Sequence, residues 1–80
     1  MTKFNATLTV NKNVNDEEIK NELLTIVNKV YGFKLKEKKN QDDIKKGSFF
    51  VISEKSEDEI VKNIKNVKDV VDIKLKAVKE

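Results

Sequence analysis

Eighty residues carry 17 lysines and 14 acidic residues, with no arginine, histidine, cysteine, proline or tryptophan. One small domain fits that length. Disulfides and thiolate metal sites are excluded, and the commonest general base and metal ligand is missing. A formal charge of +3 is modest, and without arginine the usual bidentate reader of phosphate and guanine is lost, leaving only diffuse lysine electrostatics.

No apolar run approaches the roughly 20 residues needed to span a bilayer, and residues 1–5 carry no signal-peptide core. A soluble, cytoplasmic chain is expected. Its apolar residues are periodic, which argues against disorder.

Residues 3–10 alternate strictly. Phe4, Ala6, Leu8 and Val10 point one way, and Lys3, Asn5, Thr7 and Thr9 the other. This is the pattern of a half-buried strand. A polar turn follows at residues 11–13. Asn15 then stands as a helix N-cap, with Glu18 three residues on to complete a capping box. Val14 and Ile19 are spaced for a hydrophobic staple, and Asp16, Glu17 and Glu18 load the positive end of the helix dipole. Ile19, Leu23, Ile26, Val27 and Val30 form one apolar stripe. Gly32 reads as the stop, so a helix is predicted over 16–31.

Residues 33–38 alternate again, with Phe33 and Leu35 inward and Lys34, Lys36 and Lys38 outward. Residues 40–46 read as the charged turn of a hairpin. KGSFFVIS, residues 46–53, holds the one strand candidate apolar on both faces. A second helix is predicted from Ser56, with Glu59 completing its capping box and Ile60, Val61, Ile64 and Val67 on its apolar side. The last strand spans about 70–78, with Val71, Ile73, Leu75 and Ala77 inward and Asp72, Lys74 and Lys76 outward.

The predicted order is β-α-β-β-α-β over a single domain, residues 1–80. NDEEIKNEL from Asn15 and SEDEIVKNI from Ser56 form a weak internal repeat at an offset of 41 residues. Two interleaved right-handed β-α-β units resemble the ferredoxin-like α+β plan. That plan implies a four-stranded antiparallel sheet of order 4-1-3-2 with both helices on one face. The repeat offset maps Leu8 onto Phe49 and Val10 onto Val51, which turns Phe50 and Ile52 to the open face. Asn5, Thr7 and Thr9 are expected beside them, with Lys34 and Lys36 on one side and Lys74 and Lys76 on the other. An aromatic and a β-branched residue ringed by lysines and hydroxyls make a candidate contact surface.

Lys46, Gly47, Phe50 and Val51 resemble the third strand of RNA-recognition motifs, which implies RNA binding on the open face. Ser48 stands at that family's first stacking position. EIVKNIKNVKDVVDIKL, with Val67, Val70 and Val71 at the step into the last strand, resembles the end of amino-acid-binding ACT regulatory domains and of the archaeal elongation factor beta exchange domain. The ACT glycine at the start of helix one is replaced by Asn13-Val14-Asn15. These likenesses bear on fold before function.

Little catalytic chemistry remains. Asp42 and Asp43 are oxygen donors that suit a hard cation only weakly. Ser53 and Ser56 have no histidine to activate them. Tyr31 reads as a packing residue at the end of helix one, and Gly32 and Gly47 are too isolated for a phosphate loop. The expectation is a non-enzymatic regulatory or protein-interaction module, without cofactor, metal or membrane. It would form a homodimer, or bind a protein partner, through its open sheet face or a sheet edge. RNA binding by the same face, around Phe50, is the alternative.

Overall fold

The alternation of Phe4, Ala6, Leu8 and Val10 builds the central strand. In the computed structural model, which describes residues 1–38 and 41–78, all four are buried on one side of it. The elements are β1 (Thr2–Asn11), α1 (Asp16–Ile26), β2 (Lys29–Tyr31), β3 (Lys36–Lys38), β4 (Gln41–Ser53), α2 (Glu57–Lys65) and β5 (Val70–Ala77). The side chains at 38, 41 and 42 fall outside the described set.

The fold is α+β. An open antiparallel sheet has the order β2-β4-β1-β5, and β3 also pairs β4. Five strands stand where four were expected, so the strand order departs from the one predicted. Both helices turn their buried residues, Ile19 and Leu23 of α1 and Ile60 and Ile64 of α2, into one cluster with the inward residues of β1, β4 and β5. Phe49 lies opposite Ala6 on the neighbouring strand. The small residue leaves room for the large ring, which meets Phe33 edge-on at 4.9 Å.

Both helix starts form at the predicted N-caps, through the cap side chain's half of each capping box. The Asn15 side chain accepts from the Glu17 and Glu18 amides, at 2.9 and 3.2 Å. Ser56 Oγ accepts from the Glu59 amide at 3.3 Å. These bonds satisfy amide groups that the first helical turn leaves without partners.

The end of α1 is a correction. The chain leaves the helix at Ile26 rather than Tyr31, and Val27 is already extended. Thr25 bonds back to the Glu22 carbonyl at 2.6 Å, and no basic residue stands in the last turn to favour the helix dipole. The β-branched and aromatic residues beyond suit a strand. β4 takes them up, pairing Lys29, Val30 and Tyr31 with Ile52, Val51 and Phe50.

Two further expectations give way nearby. Only Lys36–Lys38 of the predicted strand 33–38 is regular. Residues 33–35 cross to the core side of β4, burying Leu35 and half-burying Phe33. The crossing needs Gly47: a Cβ there would overlap the Lys34 carbonyl oxygen and stand 3.0 Å from Leu35 Cδ2. Residues 41–46, predicted as part of a turn, belong to β4, whose pairing with β1 continues to Asn11 opposite Ile44. Lys45 is the reason such a charged stretch can enter the sheet on its core side. Its ammonium donates to the Val14 carbonyl at 2.8 Å and pairs with Asp16 at 3.0 Å.

Val71 is also corrected. It was expected inward, yet it is 56 % exposed. The register of β5 on β1 slips by one residue, from Thr9 opposite Asp72 to Val10 opposite Val70, which expels Val71 as the extra residue of a bulge. Asp69 sets the slip up. It takes a left-handed φ of 71°, which aspartate tolerates better than most residues. Its carboxylate accepts from Asn11 Nδ2 at 3.1 Å and its carbonyl from the Asn11 amide at 3.0 Å.

Candidate functional site

The pleat that buries Phe49, Val51 and Phe4, Ala6, Leu8 and Val10 of β1 turns the alternate residues of each strand outward. The outer face therefore carries Lys3, Asn5, Thr7 and Thr9 from β1, and Lys29 and Tyr31 from β2. β4 adds Ile44, Lys46, Ser48, Phe50 and Ile52, and β5 adds Asp72, Lys74 and Lys76.

Phe50 lies at the middle of this face. It is 36 % exposed, between Asn5 of β1 and Tyr31 of β2. Tyr31 is 46 % exposed. The Lys3 ammonium stands 4.7 Å from the centre of the Phe50 ring, a cation–π contact worth about 0.5–1 kcal/mol at an exposed site. Ile52, half-buried, is flanked by Lys3 and Lys29. One strand over, Lys76 lies opposite Asn5 and Lys74 opposite Thr7. Thr7 and Ser48 share a hydroxyl–hydroxyl bond of 3.3 Å.

The predicted set is thus brought together only in part. Phe50, Ile52, Asn5, Thr7, Lys74 and Lys76 share one surface. Lys34 and Lys36 do not border Phe50, because the edge strand is broken between them and β2. Lys36 lies opposite Lys46, further along β4, and Lys34 lines a cleft with Lys36, Glu37, Lys46, Gly47 and Ser48. The places beside Phe50 are taken by Tyr31 and Lys29, which the helix predicted over 16–31 had absorbed.

Charge is sorted across the molecule more sharply than a net +3 suggests. The first turns of α1 and α2 hold Asp16, Glu17, Glu18, Glu57, Asp58 and Glu59. Among the described side chains of the outer face, Asp72 is the one acid against Lys3, Lys29, Lys36, Lys46, Lys74 and Lys76. The surface is therefore two adjacent aromatic rings, an amide and the Thr7 and Ser48 hydroxyls within a cationic border; Thr9, on the same face, is buried.

The other candidate chemistry has structural occupations. Ser53 is buried, and its Oγ accepts from the Lys55 amide at 3.1 Å. Ser56 caps α2. Asp43 gives its carbonyl to the Lys12 amide at 2.9 Å, while the side chain of Asp42 lies outside the described residues. Among the described residues no His, Cys, Asp and Glu cluster of three or more could hold a metal. No helix there is long and apolar enough to cross a membrane.

Comparison with known protein families and with curated proteins finds no match for this chain.

Proposed function

We propose that the chain is a non-enzymatic binding module whose open sheet face takes single-stranded RNA. Its overall plan is read as ferredoxin-like, with β2 and β3 as two pieces of one broken edge strand. The observation that carries the function is the adjacent pair of exposed rings, Tyr31 and Phe50, inside a lysine border that holds one acid, Asp72, among the described side chains. Bases stack on aromatic rings whatever their identity, and lysines track the phosphates by charge alone. Arginine is not needed for that kind of recognition. Asn5, Thr7 and Ser48 add donors and acceptors beside the rings, where a ribose 2′-hydroxyl has partners that DNA cannot use.

Self-association through the same face, the first expectation from the sequence, is opposed by charge. A two-fold interface sets a patch against its own copy, and here it would bring one lysine border onto another. Lys74 and Lys76 lie on β5, an edge strand, where lysine discourages edge-to-edge pairing.

Amide chemical-shift mapping tests the assignment. Titration with a short unstructured RNA is expected to move the resonances of Asn5, Thr7, Tyr31, Phe50 and Ile52, and to leave α1 and α2 still. Shifts confined to the helices would place any binding elsewhere and reject this face.

A further inference from the structure

The gap in the sheet edge, between the end of β2 and the start of β3, is a second feature of the basic face. We infer that it is a phosphate subsite, which fixes the path of the RNA strand as it leaves the aromatic pair. The inference rests on the nucleic-acid reading above.

Lys36 and Lys46 stand directly opposite each other in the β3–β4 register. Like charges at opposed positions repel, and both side chains are exposed on the outer face. Lys34 lines the same cleft. Among the described residues the one ion pair is Lys45–Asp16, and Lys34, Lys36 and Lys46 pair with no described carboxylate. Glu37, which also borders the cleft, lies opposite Lys45 rather than Lys46.

Gly47 lines the cleft without a side chain, and the Lys34 carbonyl packed against it fixes that wall with backbone. Ser48 adds a hydroxyl that is one of the Thr7–Ser48 pair. A phosphodiester oxygen entering the cleft would turn a repulsive lysine pair into a clamp, since lysine holds phosphate as a point charge without needing a fixed orientation.

Position decides what kind of anion fits. Lys46 is four residues from Phe50 on one strand, about 13 Å at ~3.3 Å per residue. That distance is roughly four nucleotide steps at ~3.4 Å each. A strand stacked on Tyr31 and Phe50 therefore reaches the cleft only if it extends several nucleotides beyond the rings.

Fluorescence anisotropy with labelled oligouridylates of three and ten nucleotides tests this, using the wild type and a Lys36→Gln/Lys46→Gln double variant over a series of salt concentrations. The expected result has two parts. The slope of log K against log salt for the ten-mer becomes shallower by about 0.7 in the variant, for the one phosphate the lysine pair clamps, and the trimer slope does not change. If both proteins bind the ten-mer with equal slopes, the subsite is wrong while the aromatic face stands. Failure of the wild type to bind either oligomer overturns the subsite together with the reading it rests on. Circular dichroism of the variant is expected to match the wild type, and urea unfolding to show it at least as stable, because the substitution removes a repulsion from the surface.

Discussion

Phe49→Ala is expected to cost about 3–5 kcal/mol of stability, the range for deleting a buried phenylalanine. An 80-residue domain has roughly 4–12 kcal/mol to lose, at about 0.05–0.15 kcal/mol per residue. The variant should therefore unfold at a much lower urea concentration, or fail to fold. The ring is 2 % exposed, stands edge-on to Phe33 and fills the space above Ala6. Gly47, next on the same side of β4, carries no side chain to fill the void.

Phe50→Ala, one residue away, should behave differently. Its ring is on the outer face, so the loss is the Lys3 contact and a cross-strand neighbour, about 1 kcal/mol in all. Urea midpoints for the two variants, with unchanged m-values, check the contrast. Equal losses would mean that both rings are core and that the outer face has no aromatic centre.

The second large effect is on binding. Replacing Tyr31 or Phe50 by alanine should weaken affinity for single-stranded RNA by about 1–3 kcal/mol for each base stack lost, which is roughly 5- to 150-fold. The two rings are register partners on β2 and β4, so the double variant should lose less than the product of the single losses. The Lys3 ammonium over Phe50 must move aside for a base, and a phosphate beside that base is a natural new partner for it. Anisotropy titrations of the two single variants and the double, each confirmed as folded, measure these losses. Affinity unchanged in the double variant would remove stacking from the account.

Much of this architecture is visible in the residues themselves. The caps at Asn15 and Ser56 are local devices, so both helix starts are legible. The faces of β1 follow from strict alternation. The choice between Phe49 and Phe50 is harder, because a strand apolar on both sides does not declare its core face. The 41-residue repeat offset resolves it, by carrying the known polarity of Leu8 and Val10 onto Phe49 and Val51.

The misses share one physical cause. Ile26, Val27 and Val30 fit a helical stripe, yet Val27 and Val30 turn inward just as well once the chain extends. Periodicity cannot separate those states; the hydrogen-bonding edge of β4 does, and it is about 20 residues away in sequence. Tyr31 was lost from the candidate site through that error alone. Residues 41–46 look like a loop for a similar reason, since their charge is tolerated only because Lys45 finds Asp16 and the Val14 carbonyl. Ile44, which continues the alternation of Ile52, Phe50 and Ser48, was the available signal. The β5 bulge depends on a left-handed aspartate, which nothing in the strand pattern announces.

The most direct measurement of the central claim is the affinity of the wild-type chain for an unstructured RNA ten-mer across a range of salt concentrations. A face that combines six lysines with two stacking rings predicts measurable binding at low salt. It also predicts a linear fall of log K with log salt, at a slope of about −0.7 for each phosphate neutralised. Absence of binding at low salt, or an affinity indifferent to salt, would contradict it.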